Sequence, residues 1–308
     1  MTLPSFLLRR LIHAALVLLA LSGLVFSLLL LIPGDPALTV AGMGASAADI
    51  EGIRRQLMLD QPVSVRFLHW LYSLLHGDWG VSIVSHEPVL PLLLDRFRMT
   101  FLLAMAGIAL ATSVGVILGV NAALRANSAT DATLTVAALV GVSAPIFWVG
   151  ILLQLVFAVQ LGWLPATGSG SIAHLVLPAV AIGANSTGII MRMTRSSMLE
   201  VLSQDYVRTA RAKGMSRNVV VYKHALRNAL VPILTVVGMQ FAYLVGGAVL
   251  TESVFLWPGV GKLLADAVFR RDFPVVQGAI LLIGFFFVLV NILVDVAYSV
   301  ADPRIRLA

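Results

Sequence analysis

The chain has no cysteine. Disulfide frameworks and thiolate metal sites are therefore excluded. Charge is also scarce. Asp, Glu, Lys and Arg make up 12% of 308 residues, whereas 59% are hydrophobic and the mean hydropathy is +0.96. Soluble domains carry about 25% charged residues, so an ordinary water-soluble core is excluded. Acids are fewer than bases, 15 against 21, and the isoelectric point is near 10.2. That excess could indicate nucleic acid, but Lys and Arg gathered on the cytoplasmic loops of a membrane protein give the same balance.

Several chemistries are missing as well. The histidines at 13, 69, 76, 86, 174 and 224 include no pair at three- or four-residue spacing, so no metal site is expected. Neither a Gly-x-Ser-x-Gly elbow nor a His-Glu-x-x-His run occurs. Gly259-Val260-Gly261-Lys262 approaches a phosphate-binding loop, but Leu256 stands where the first glycine belongs and Leu263 follows the lysine. The chain is not expected to be an enzyme or to bind a cofactor.

What is present is a series of long uncharged runs: Leu11–Pro33, Met99–Leu124, Ala132–His174, Leu175–Met191, Asn228–Thr251 and Phe273–Val294. Lipid offers no partner to free backbone groups, so these are expected to be helices. Gly162 to Pro165 and the Gly/Ser cluster Thr167–Ser171 divide the third run. A third helix is thus expected to reach about Leu161, and a fourth to begin near Ile172. The first run is read as an uncleaved membrane helix, because no small-residue cleavage site follows it closely. The expected fold class is all-α: a polytopic membrane protein with six transmembrane helices.

Orientation follows from the loops. Arg9, Arg10, Arg125, Arg304, Arg306 and the segment Arg192 to Arg227 are basic, and the loop between helices three and four has no Lys or Arg. The positive-inside rule places both termini in the cytoplasm. Residues 1–98 are read as the first helix with an extracytoplasmic segment, and 99–308 as a five-helix core with a cytoplasmic loop at about 198–228. Within the outer segment, Pro33 to Pro36 reads as a turn. Ala48–Leu59 reads as a short amphipathic helix with Ile50, Ile53 and Leu57 on one side, and Val65–Leu75 as a second helix along the membrane surface. Asp295 is an acid inside the sixth helix; Gln154, Asn185, Gln240 and Asn291 either line a path or join helices. Gly115 to Gly119 and Gly183 to Gly188 are close-approach patterns.

The basic island Asp205–Pro232 is the most informative stretch. Asp205 can cap a short helix, Lys213 lies in its last turn, Gly214 suits a left-handed residue that ends it, and Ser216 can cap a second short helix before Pro232. A stretch that only binds anionic lipid needs charge but no elbow. Ala210-Arg211-Ala212-Lys213-Gly214, then His224-Ala225-Leu226-Arg227-Asn228 and Pro232, resembles the cytoplasmic coupling loop of ABC importer permeases. More narrowly, it resembles the B-type subunit of the dipeptide/oligopeptide/nickel group. Leu8-Arg9-Arg10, Ile32 to Pro36, Met191 to Met198, Thr251 to Phe255, Trp257-Pro258-Gly259, Arg270 to Pro274 and Asp302-Pro303-Arg304 carry the likeness over nearly the whole chain. Arg208 and Thr209 replace the Glu and first Ala of the general Glu-Ala-Ala pattern, as is usual in the peptide group.

The resemblance implies a type I importer permease fold in the bacterial inner membrane, moving di- or oligopeptides at the expense of ATP. Its implied partners are a second, C-type permease subunit, two ATPase domains that bind ATP and magnesium, an extracytoplasmic peptide-binding protein and membrane lipid, with no nucleic acid. Asp205, Tyr206, Arg208, Ala210, Arg211, Ala212, Lys213 and Gly214 are the expected ATPase-coupling residues. Glu252, Trp257, Arg270, Arg271 and Asp272 are candidates for contact with the binding protein. Nickel or another small solute is the alternative cargo. An ion-coupled secondary transporter is a further alternative, but the two related halves with paired broken helices that it needs are not seen.

Overall fold

The computed structural model describes residues 3–31, 37, 46–56 and 58–301. The turn expected at Pro33 to Pro36, Leu57, Arg304 and Arg306 lie outside them, as do the side chains of Ile53 and Asp295. In chain order the helices are α1 Leu3–Leu31, α2 Ala47–Gln56, α3 Val63–Leu75, α4 Val89–Leu124, α5 Ala129–Ser143, α6 Ile146–Leu153, α7 Ile172–Leu202, α8 Asp205–Ala212, α9 Arg227–Gly247, α10 Val249–Val254, α11 Val260–Arg270 and α12 Phe273–Ala301. Two π-helical stretches, Gln154–Gln160 and Val219–Leu226, continue α6 and lead into α9. Among the described residues, five helices are long and apolar enough to cross a membrane, or six if α5 with α6 and its π-helical extension counts as one bent span.

That bend replaces the straight third helix expected from sequence. The segments meet at 103°. Pro145 has no N–H to offer the Gly141 carbonyl, and it drives Ala144 out of helical geometry to φ −73°, ψ 130°. The freed Val142 carbonyl accepts a 2.7 Å bond from Asn185 Nδ2 on α7. Gln154 likewise bridges, donating to the Ala166 and Val254 carbonyls at 2.9 and 3.1 Å, and Ser186 donates to Gln240 at 3.0 Å. These polar groups join elements, whereas Asn291 bonds the Phe287 carbonyl within its own helix. α4 also differs from expectation. It starts at Val89 and its 36 residues span about 54 Å at 1.5 Å per residue.

The chain divides into two compact units. One holds Met1–Leu7, Phe97–Lys262 and Phe286–Ala308; the other holds Leu8–Arg96 and Leu263–Phe285. In the first unit α4 and α7 pack at glycines. A Cβ on Gly119 would lie 2.5 Å from the Thr194 Cβ and 2.7 Å from the Met191 carbonyl oxygen, and one on Gly183 would lie 2.8 Å from the Gly107 oxygen. Helices in lipid gain by such close approach, since no hydrophobic effect drives them together. Next to Thr194 on α7, Arg195 forms a bidentate pair with buried Asp131 of α5, at 2.6 and 2.7 Å. Asp131 also accepts from the Asn127 N–H at 3.0 Å.

In the second unit, Asp272 is buried and accepts from the Ser82 hydroxyl and the Ile83 and Val84 N–H groups. It thereby closes the loop after α3 onto the turn before α12. α2 and α3 form close to the two short helices expected between the first two spans. α2 ends at Gln56, and the Phe67 and Trp70 rings of α3 lie 5.4 and 5.6 Å from Phe26 of α1.

Candidate functional site

α8 begins immediately after α7 and is held to it by an apolar face. Val207 and Ala210, three residues apart, are buried and form a cluster with Val220, against which Val201 and Leu202 pack. The opposite face is exposed and carries Asp205, Tyr206, Arg208, Thr209, Arg211, Ala212, Lys213 and Gly214. The helix start differs from the sequence reading. Gln204 occupies the cap position without a side-chain bond, and Asp205 lies in the first turn, where its charge suits the helix N-terminus. Its 3.6 Å pair with Arg208 is fully at the surface and contributes little.

The helix end is as the sequence predicts. Gly214 has φ +74°, its N–H bonds the Arg211 carbonyl at 3.0 Å, and the Met215 N–H reaches back to the Ala210 carbonyl at 3.4 Å. This pair of bonds is a Schellman stop, which needs a left-handed residue. Nothing lies within 4 Å of a Cβ built on Gly214, so the requirement for glycine is conformational and not steric.

Beyond the elbow, the second short helix is not a separate element. Helical geometry resumes at Arg217 and runs through the π-helical stretch into α9, with Pro232 inside the span. The wider π turn sits where the elbow meets the membrane helix, with Val220, Val221 and Ala225 buried. Asn228 Nδ2 donates to the Tyr206 hydroxyl at 2.9 Å, joining α8 directly to the start of α9. The exposed cationic face is thus mechanically continuous with two spans, α7 before it and α9 after it. Of the expected coupling residues, Ala210 is the one turned inward. Val207 and Asn228, absent from the sequence-based set, supply the anchorage. The apolar i, i+3 pair Val207/Ala210 in an otherwise polar segment is the signal for the first of them.

The candidates for contact with a binding protein divide differently. Glu252 and Trp257 are 0% and 2% exposed and Asp272 is buried, so their side chains do not form a surface, whereas Arg270 and Arg271 are exposed. Glu252 accepts from Thr100 Oγ1 at 2.6 Å and from the Lys262 N–H at 2.9 Å, and Thr100 in turn accepts from the Val260 N–H at 2.9 Å. Burial pushes the Glu252 carboxyl above its ordinary range, against the opposing hydrogen bonds of Thr100 and the Lys262 and Gly261 N–H groups. Trp257 Nε1 donates to the Met99 carbonyl at 3.0 Å. A Cβ on Gly259 would collide with the Glu252 carboxylate, and one on Gly261 would lie 2.7 Å from the Val249 Cα. The glycines that resemble a phosphate loop do cradle an anion at a helix start, and that anion is the chain's own Glu252. The spacing Glu-x6-Gly-x-Gly is the signal that marks it as internal.

Comparison with known proteins follows the same lines. The family described as binding-protein-dependent transport system inner membrane component matches residues 111–307, and the family for the N-terminal part of such components matches residues 3–104. A glutathione transport system permease protein of Salmonella choleraesuis is 44% identical over 302 residues, covering 98% of this chain and 99% of that protein. A putative peptide transport system permease protein of Brucella abortus is 45% identical over 312 residues, with 99% of each covered. Among solved structures, an inward-facing methionine ABC transporter aligns with TM-score 0.56 at 19% identity over 70% of this chain and 96% of that chain. An amino acid ABC transporter with histidines aligns with TM-score 0.52 at 17% identity over 68% of this chain and 94% of that chain. At these identities the structural likeness concerns the fold.

Proposed function

Because the chain belongs to the family of binding-protein-dependent transport system inner membrane components, we propose that it is the subunit through which an ABC importer passes short peptides, with α8 as its lever. A multi-pass inner-membrane permease of this family works with an ATPase and a substrate-binding protein. The finer assignment is a second, C-type permease subunit enclosing the other half of the path, two ATPase domains that hold ATP and magnesium, and both termini of this chain in the cytoplasm. The glutathione and peptide names of relatives at 44 and 45% identity over almost the full length support a peptide cargo.

The observation that carries the reading is the build of α8. Its buried Val207/Ala210 face fixes it to the permease, leaving a cationic face open beside a glycine elbow. An ATPase that grips Tyr206, Arg208, Arg211, Ala212 and Lys213 moves α7 and α9 with them. ATP then shifts the permease between conformations through contacts that differ between the states. On the other side, contact with the binding protein falls to Arg270 and Arg271 beside Phe269, which is 88% exposed, while the side chains of Glu252, Trp257 and Asp272 are buried.

Uptake by the complete complex in vesicles tests the reading, with ATP inside and binding protein outside. Accumulation of labelled dipeptide, tripeptide or glutathione that requires ATP is the expected result. Uptake sustained by an ion gradient after ATP depletion, or transport of nickel without peptide, contradicts it.

A further inference from the structure

α3 has thirteen residues, about 20 Å of helix, too short to cross a bilayer. One face packs on α1, where Phe67 and Trp70 meet the Phe26 ring and the Arg66 guanidinium lies 6.0 Å over the same ring. Phe26 lies in the last two turns of α1, which ends at Leu31, so α3 packs beside the end of that span. Among the described residues, no element covers the other face. Val65, Leu68, Tyr72 and Leu75, at i, i+3, i+7 and i+10, form an exposed stripe, with Leu68 63% and Leu75 79% accessible. Such a stripe is unfavourable in water and continues in kind the exposed aliphatic surface of α1, including Leu16, Leu19 and Leu24.

The polar residues beside the stripe fit a phospholipid surface. α3 contains no Asp or Glu, and His69 and His76 are exposed along one edge of the stripe. The His76 ring packs against Tyr72 at a tilt of 34°, with centroids 4.0 Å apart. An apolar face bordered by amphipathic rings and basic groups is the composition of a helix at the acyl–headgroup boundary.

We propose that α3 is an interfacial anchor, lying in the plane of the membrane beside the end of α1. Val65, Leu68, Tyr72 and Leu75 seat among the upper acyl chains, and His69 and His76 lie among anionic headgroups. The anchor fixes the level at which the outer segment sits on the bilayer, and it is independent of which solute the permease carries.

The absence of cysteine makes the test direct. Leu68→Cys and, separately, Tyr72→Cys are labelled with an environment-sensitive fluorophore in the assembled complex, reconstituted into phosphatidylethanolamine/phosphatidylglycerol vesicles. Asp78→Cys, just beyond the helix, is the reference. Expected is loss of most emission from the 68 and 72 labels with lipids brominated near the headgroup, little loss with aqueous iodide, and the reverse at 78. Iodide quenching at 68 and 72 as strong as at 78 overturns the proposal in favour of a solvent-facing helix. Shielding from both quenchers overturns it in favour of a protein partner. Because neither readout depends on uptake, a failure here is separable from a failure of the peptide-import reading.

Discussion

The α8 elbow and the Glu252 turn are both short helical connections between spans, and they dispose of charge in opposite ways. α8 buries Val207 and Ala210 and turns Arg208, Arg211 and Lys213 to solvent. The α10–α11 turn buries Glu252 and holds its carboxylate with Thr100 and backbone N–H groups. Charge in the first is left at the surface, while in the second it supplies the partners that the N–H groups of a buried turn lack. An acidic residue in a loop is therefore not by itself evidence of a surface. Its relation to nearby glycines and orphan N–H groups decides.

Removing the internal charge has the largest expected effect. Glu252→Ala strands the Thr100 hydroxyl and the Lys262 N–H and leaves a void, for a loss of about 3 kcal/mol in the stability of the purified complex. A melting temperature unchanged by this substitution breaks the comparison, because Glu252 would then behave as a surface group. Gly214→Val comes next. A β-branched residue at φ +74° costs about 1–2 kcal/mol, which divides the population of the bent elbow by roughly tenfold. ATP-driven uptake is expected to fall accordingly while the subunits still copurify; uptake at the normal rate contradicts the lever.

A smaller effect concerns pH. The folded carboxyl of Glu252 lies above its unfolded value, so the native state binds the proton more tightly. Wild type should lose stability relative to Glu252→Gln as pH rises from the ordinary carboxylate value to the raised one, and the difference should be constant above that. Thermal melts of both proteins across this window check it, and a difference that grows with pH in the opposite sense refutes it. The smallest stability effect is expected at the exposed elbow. Arg208→Ala should stay within about 0.5 kcal/mol in the same melts. Its ATPase stimulation by loaded binding protein should nevertheless drop, separating contact from folding.

Much of this was legible in the residues. Uncharged runs located the spans, and the basic loop with Gly214 located the elbow, because each rests on local chemistry: lipid demands apolar helices, and a Schellman stop demands positive φ. Three features were not. The third span reads as continuous, since its apolar run is uninterrupted at Pro145, and the carbonyl freed at the 103° bend, that of Val142, finds its partner in Asn185, 43 residues on. The second helix of the island merges with α9 because the packing of Val220, Val221 and Ala225 carries helical geometry through the π-helical stretch and past Pro232. Glu252, Trp257 and Asp272 looked like surface groups because their partners, Thr100, Met99 and Ser82, lie more than 150 residues away.

The central claim is that α8 is gripped by an ATPase. A Lys213→Cys variant carrying a photo-crosslinker, in the assembled complex with its soluble partners and lipid, tests it most directly. The account predicts a covalent adduct with an ATPase subunit whose yield changes between nucleotide-free and ATP-bound states. An adduct only with phospholipid, or one with no ATPase under any nucleotide condition, contradicts it.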